Sequence, residues 1–339
     1  MLEMIKELCS LRGISGRESE VRDYVISKID GYCDYSVDPL GNIIAFKKGK
    51  NRAENKVMID AHMDEVGFIV TGVDSDGLLK FSNVGGVDTA VFLGRSVTVG
   101  ENALPGVVGI KPIHLVDKSG ENDLPQKDEL YIDIGALSRE EALKAVQPGD
   151  EVCFEADFEQ FGDGFICSKA IDDRAGCAIL IDLIRSELEY DCVFSFSVQE
   201  EIGTRGAAAS AFTAAPDYAI AVETTTAADI YPAEDEERVC VCSEGAVISF
   251  MDRATVYNPE LYRLALDTAK ENGIKAQTKT RVAGGNNAGA IHKSRGGVKT
   301  VAVSVPTRYL HSPSCVCKYE DVESCRALIE ALAAVMAQC

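Results

Sequence analysis

Between Val66 and Phe161 the alternation of strands and helices in this chain stops. In its place stand short alternating apolar runs punctuated by glycine: Val66-Gly67-Phe68-Ile69-Val70, Leu78-Leu79-Lys80-Phe81, Ser96-Val97-Thr98-Val99 and Gly106-Val107-Val108-Gly109-Ile110. Helical periodicity surfaces only around Ser138 to Val146. Strands this short, at this spacing, predict a small β-barrel or sandwich. On both sides of the segment, strand and helix patterns alternate, which predicts an α/β sheet packed between helices. The expected organisation is one α/β domain built from 1–65 and 162–339, with a β domain, 66–161, inserted in it.

In the flanking halves the chemistry collects where apolar runs end. Lys56-Val57-Met58-Ile59-Asp60-Ala61 reads as a strand running into His62-Met63-Asp64. Cys192 to Val198 reads as a buried strand followed by Glu200-Glu201, and Asp217 to Val222 as one ending in Glu223. Lys299 to Val305 reads as a strand closed by Pro306, with His311 a few residues on. Helices are expected on both sides of Arg12-Gly13-Ile14-Ser15-Gly16, from Ala175 to Leu188, from Pro259 to Asn272 behind the cap Asn258, and from about Glu320 onward.

Composition removes several classes. A formal net charge of −20 over 339 residues argues against nucleic acid or an anionic membrane surface as partner. No apolar run is long enough to span a bilayer, and Met1 to Leu8 lacks the basic start of a secretory signal, so a cytoplasmic protein is expected. Twelve cysteines scattered through core-like segments read as free, mostly buried thiols.

In open α/β sheets, sites form outside the carboxyl ends of strands, so His62, Asp172, Asp173, Glu200, Glu201, Glu223 and His311 are expected to converge. So many carboxylates in one cleft need cations to balance them, and two divalent metals sharing one carboxylate would do so. Successive side chains of an extended chain point apart, which gives Glu200 and Glu201 different jobs: one on a metal, one facing a water beside it. Asp64, two residues after His62, can orient its imidazole. The residues alone leave Asp172 and Asp173 as alternatives for the shared ligand.

The segments Ala61-His62-Met63-Asp64-Glu65-Val66-Gly67-Phe68, Ala170-Ile171-Asp172-Asp173-Arg174-Ala175-Gly176, Gln199-Glu200-Glu201-Ile202-Gly203 with Arg205-Gly206-Ala207, and Pro306-Thr307-Arg308-Tyr309-Leu310-His311-Ser312-Pro313 closely resemble those of the M42 dinuclear metalloaminopeptidases of the glutamyl aminopeptidase or TET type. The resemblance covers essentially the whole chain. It implies an α/β/α sandwich of zinc-exopeptidase type around a mixed sheet, with a PDZ-like barrel as dimerisation domain. It also implies His62 and Glu223 as terminal ligands of one metal, Glu201 and His311 of the other, Asp172 as bridge, Glu200 as general base and Asp64 as the partner of His62. Two divalent ions, zinc first and cobalt or manganese as alternatives, a peptide substrate, and homo-oligomers from dimer to dodecamer follow from the same resemblance. Two stretches depart from the family pattern: Glu223 stands where Asp is usual, and Gly284-Gly285-Asn286-Asn287-Ala288 where Gly-Gly-Thr-Asp-Ala is usual.

The leading expectation is an aminopeptidase acting on short peptides. The nearest rival is a deacylase or carboxypeptidase with the same dinuclear chemistry, for which Arg281 and Arg308 are the arginines placed near the cleft. A glycosidase would also use paired acids, but the chain has no tryptophan to stack sugars. A non-catalytic metal-dependent assembly is the remaining alternative.

Overall fold

The computed structural model describes residues 1–115 and 124–339. Its large sheet runs in the order Asp34–Val37, Ile43–Lys47, Cys192–Ser197, Val57–His62, Tyr218–Thr226, Lys299–Arg308, Cys315–Lys318, Phe165–Ser168, Glu159–Phe161. The four strands from Cys192–Ser197 to Lys299–Arg308 are parallel, and the edge strands are antiparallel. Ala246–Ile248 and Ala276–Thr278 extend the sheet from one side of Lys299–Arg308.

Alternation along the central strand assigns the two faces. Val57, Ile59 and Ala61 join the main core beneath the helices Leu2–Ser10, Ser19–Ile29, Ile171–Arg185, Pro259–Glu271 and Tyr319–Met336. Met58 packs the other way, against Ala207, Ala211 and Ala214 of the helix Arg205–Ala214 and Ile291 of the short helix Ala288–Ile291. The result is the three-layer sandwich expected from the strand–helix rhythm.

The inserted segment closes into a six-stranded barrel, Gly67–Val73, Leu79–Val84, Tyr131–Asp133, Leu104–Gly109, Ser96–Val99 and Glu151–Phe154. Phe68 fills it, meeting Phe81, Phe92 and Phe154 edge-on at 5.0–5.3 Å between ring centroids. The barrel ends at Phe154. Glu159–Phe161, expected within the insert, pairs instead with Phe165–Ser168 at the edge of the large sheet. Glu65, just before the barrel, is held by Lys169 at 2.7 Å and Arg174 at 3.4 Å, which ties the two chain crossings together. Arg12 bridges the units a second time, donating to Gly100 O at 2.7 Å while pairing with Glu20 of the main domain.

Two local expectations change. The last parallel strand runs through Pro306 to Arg308. Pro306 falls between the residues paired with Ala246–Ile248 (Val303, Ser304) and those paired with Cys315–Lys318 (Thr307, Arg308), so its missing N–H costs no ladder bond on that side. The helical signal at Ser138–Val146 yields a single short helix, Arg139–Ala142, with Ser138 as its cap. Of the twelve free cysteines most are buried, Cys33 and Cys167 are half-buried, and Cys339 is exposed. No helix among the described residues is long and apolar enough to cross a membrane.

Candidate metal centre

The parallel register sets the site. Ser197 lies beside His62, so the turn after Ser197 brings Glu200 and Glu201 over the end of the strand that carries His62. Glu223 sits beside Ser304 one strand further on. Asp172 and Asp173 begin the helix Ile171–Arg185, in non-helical torsions that precede its regular turns. His311 follows the Lys299–Arg308 strand with φ +57, a left-handed conformation uncommon for a residue with a Cβ. Gln199, immediately before the two glutamates, also has φ +57.

These turns bring the predicted residues into one cleft of about 660 Å³, lined by His62, Asp172, Glu200, Glu201, Glu223 and His311. His62 Nε2 lies 3.3 Å from Asp172 Oδ1 and 3.6 Å from Glu223 Oε2. His311 Nε2 lies 3.6 Å from Asp172 Oδ2 and 3.2 Å from Glu201 Oε2. Each imidazole is turned by a carbonyl at its other nitrogen: His62 Nδ1 donates to Asp64 O at 3.0 Å, and His311 Nδ1 to Gly86 O at 2.7 Å. A neutral imidazole that donates through Nδ1 carries no hydrogen on Nε2, the atom each ring would offer a cation.

The donor set suits divalent metals: two neutral imidazoles and several carboxylates, with no thiolate among them. Ligand atoms of His62, Asp172 and Glu201 lie within 4.8 Å of one another, as do those of His62, Asp173 and Glu223. Asp173 takes part in the second group, yet its Oδ1 already accepts Gly176 N–H at 3.0 Å. A side chain on Gly176 would collide with that carboxylate, its Cβ only 2.2 Å from Oδ2, so glycine is needed for the contact.

The electrostatics follow from crowding several buried acids around two imidazoles. Burial pushes the carboxyls of Glu201 and Glu223 well above their usual range, and Asp172 adds to the effect on both. Burial also lifts Glu200 to about 7, with Asp172 and Asp64 reinforcing it. Burial works against the charged forms of His62 and His311, but Asp172 and the neighbouring acids outweigh it; His62 rises well above its usual value and His311 to about 9. Divalent cations would replace those protons.

Support for the cluster comes from Asp64, as expected, and from Ser15, Glu18 and Asn287, to which the sequence assigned no role. Asp64 Oδ1 accepts Glu200 N–H at 2.9 Å, and its Oδ2 accepts Ser15 Oγ–H at 2.6 Å and Glu201 N–H at 3.1 Å. Glu18 Oε1 accepts Gln199 N–H at 3.1 Å. Asn287 donates its backbone N–H to Glu223 Oε1 at 3.2 Å and its amide to Asp60 at 2.8 Å. The two arginines expected near the cleft are engaged elsewhere: Arg308 holds Asp229 through two contacts of 2.7 and 2.8 Å, and Arg281 donates to Glu236 O. Lys279 lines the cleft instead.

Two histidines facing a shared carboxylate, with further acids at the carboxyl ends of parallel strands, make this a metal-dependent hydrolase. Residues 41–328 match the family model described as M42 glutamyl aminopeptidase, and the chain belongs to that family. The lysyl aminopeptidase of Pyrococcus furiosus is 33% identical, over 97% of this chain and 96% of its own. The Pyrococcus horikoshii TET1 peptidase, which can assemble into a tetrahedron or a large octahedral shell, superposes with a TM-score of 0.87 at 35% identity, over 98% of each chain. A Thermotoga maritima chain described as an endoglucanase superposes at 0.80 with 38% identity, over 97% of this chain and 96% of its own.

Proposed function

We propose that this enzyme removes the N-terminal residue from short peptides, using two divalent cations and Glu200 as general base. The observation that carries the reading is the split carboxylate of Asp172, one oxygen toward His62 and the other toward His311. His62 and Glu223 would hold one cation, His311 and Glu201 the other, and Asp172 both. Zinc fits this donor set first, and cobalt or manganese fit it too. When bound, the cations would acidify a water and polarise the scissile carbonyl.

Glu200 lines the same cleft, pairs with neither imidazole within 4.0 Å, and is buried enough to keep a high proton affinity. It takes a proton from the attacking water and delivers it to the leaving amine. Asp64 keeps His62 oriented and fixes the backbone of the Glu200–Glu201 turn. The free amine of a substrate is accommodated among the carboxylates, which restricts cleavage to the first residue. Barrel-mediated dimers that build toward a dodecamer are part of the reading, and a 36% identical relative solved with a dodecamer in the asymmetric unit supports the larger assembly. The free thiols favour the reducing cytoplasm.

The test is one peptide with a free or an acetylated N-terminus, given to wild type and Glu200→Gln after chelation and after restoring zinc, cobalt or manganese. Release of the first residue from the free peptide alone, dependent on metal and lost in the variant, is expected. Cleavage of the acetylated peptide would move the assignment to a deacylase or endopeptidase. A soluble glucan runs alongside because the T. maritima relative is described as an endoglucanase; its hydrolysis after chelation would favour the glycosidase.

A further inference from the structure

A second concavity, of about 320 Å³, opens beside the metal cleft. Its walls come from the segment after the strand Tyr218–Thr226 and from the end of Lys299–Arg308. The two cavities adjoin. Thr226 lines both, and the turn 309–311 divides them, Tyr309 lining the concavity while Leu310 and His311 line the cleft. Parallel pairing of Thr226 with Thr307, and the Ala227 N–H bond to Thr307 O at 2.9 Å, hold the two walls side by side. The charged groups of the lining are already answered locally. Arg308 holds Asp229 at 2.7 and 2.8 Å, and Glu237 Oε2 accepts Glu234 N–H at 3.1 Å. What remains is mainly apolar: Ala228, Ile230, Pro232 and the rings of Tyr231 and Tyr309. Tyr231 is 96% exposed and Tyr309 50%. A ring held in water contributes little burial to its own fold, and apolar concavities flanked by aromatic rings are where ligand side chains settle.

In an exopeptidase the cleft encloses the first residue of the peptide, and the second begins just past the scissile bond. Successive side chains of an extended peptide point to opposite sides, so the second needs a wall other than the one that takes the first. We propose that this concavity receives the second side chain, and that the enzyme selects peptides whose second residue is large and apolar. A charged side chain there would be desolvated against Ile230 and Pro232 without a partner, since Arg308 and Glu237 are engaged. This inference rests on the aminopeptidase reading and adds a preference on the leaving side of the cleaved bond.

The experiment uses dipeptide amides with leucine first and Ala, Phe or Glu second, which carry no main-chain carboxylate. In the metal-loaded wild type, leucine release from Leu-Phe-amide should exceed that from Leu-Ala-amide about tenfold in kcat/KM, the worth of partly burying the larger side chain. Leu-Glu-amide should be the slowest. In Tyr231→Ala the Phe-to-Ala ratio should fall to about three or less, and Tyr231→Phe should keep it. Ile230→Lys sets an ammonium in the lining and should raise Glu above Ala. A wild type that favours Ala, or treats Ala and Phe alike, overturns the proposal. So does a Phe-to-Ala ratio that Tyr231→Ala leaves unchanged, or an Ile230→Lys variant whose Glu-to-Ala ratio does not move.

Binding supplies the arm that needs no turnover. In metal-loaded Glu200→Gln, calorimetry should show Leu-Phe-amide binding more tightly than Leu-Ala-amide, and adding Tyr231→Ala should remove most of the difference. Sedimentation velocity of Tyr231→Ala should match that of the wild type. A smaller assembly in the variant would make the concavity a contact between copies of the chain and overturn the proposal. Tyr231-dependent binding, with no leucine released from any amide by the wild type, would sink the aminopeptidase reading alone. Leucine release indifferent to the second residue would sink this inference alone.

Discussion

The two oxygens of Asp172 face two different histidines, Oδ1 at 3.3 Å from His62 and Oδ2 at 3.6 Å from His311. Asp173, its neighbour in sequence, turns Oδ1 to Gly176 N–H at 3.0 Å. The pair therefore predicts opposite outcomes for the same substitution. Asp172→Asn should retain fewer than two cations per chain after dialysis, with affinity down roughly a hundredfold or more, beyond what an outer partner costs. In Asp173→Asn the amide oxygen can still accept from Gly176, and burial already favours the neutral carboxyl at this position. That variant should keep two. Elemental analysis decides, and a reversed result would make Asp173 the shared ligand.

Glu200→Gln should keep both cations while kcat falls by about 10²–10⁴, the usual weight of a positioned general base. A base works deprotonated, so kcat/KM of the wild type should rise with pH through the pKa of Glu200. Burial sets that pKa at about 7 without cations, and cations beside it favour the carboxylate. The acid limb of the metal-loaded enzyme should accordingly fall below about 7 and disappear from the residual activity of the variant. An unchanged limb in Glu200→Gln would assign it to another group.

Asp64 holds the backbone of both glutamates as well as the Ser15 hydroxyl. Asp64→Asn should weaken metal binding by about ten- to a hundredfold, as loss of an outer partner does. Asp64→Ala also strands the N–H groups of Glu200 and Glu201, so a further loss of about 1–3 kcal/mol of stability is expected. Chelator competition and urea denaturation measure the two effects separately. Equal metal affinity in wild type and Asp64→Asn would remove Asp64 from the site.

Glu18, at the start of the helix Ser19–Ile29, is a buried acid that accepts Gln199 N–H from the Glu200–Glu201 turn. Burial lifts its pKa to about 7 from an ordinary 4.5, and Asp64 adds to it against the N–H groups of Gly16 and Gln199. Between those values the folded chain keeps a proton that the unfolded chain has released, so Glu18 makes stability fall as pH rises from about 4.5 to 7. Glu18→Gln removes that slope. The variant's stability relative to wild type should be greater at pH 8 than at pH 5 in urea denaturation; no difference between the two would show that the carboxyl is ordinary.

The convergence of His62, Glu200, Glu201, Glu223 and His311 was legible because each follows the end of an apolar run, and parallel strands carry such ends to one edge of the sheet. His62, Glu201 and Glu223 need only strand register to meet. Lys279 was not legible, since its approach depends on how the loop after Ala276–Thr278 folds back over that edge, and Asn287 was marked only as a departure from the family pattern, without the contacts to Glu223 and Asp60 that it makes. Glu18 was hidden for a similar reason: it reaches Gln199 from the far end of the chain. Pro306 misled because a proline ends a strand only where its N–H is needed. Arg281 and Arg308 were placed near the cleft by sequence proximity, and each found a partner of its own outside it.

Gly86 belongs to the inserted unit, in the loop between Leu79–Val84 and Thr89–Phe92, and its carbonyl fixes the tautomer of His311. Cutting the barrel out would therefore free that imidazole to rotate, however well the sandwich folded without it. Under the proposed ligand set, the inserted barrel orients one imidazole of the site through a single peptide oxygen, without lending it a side chain.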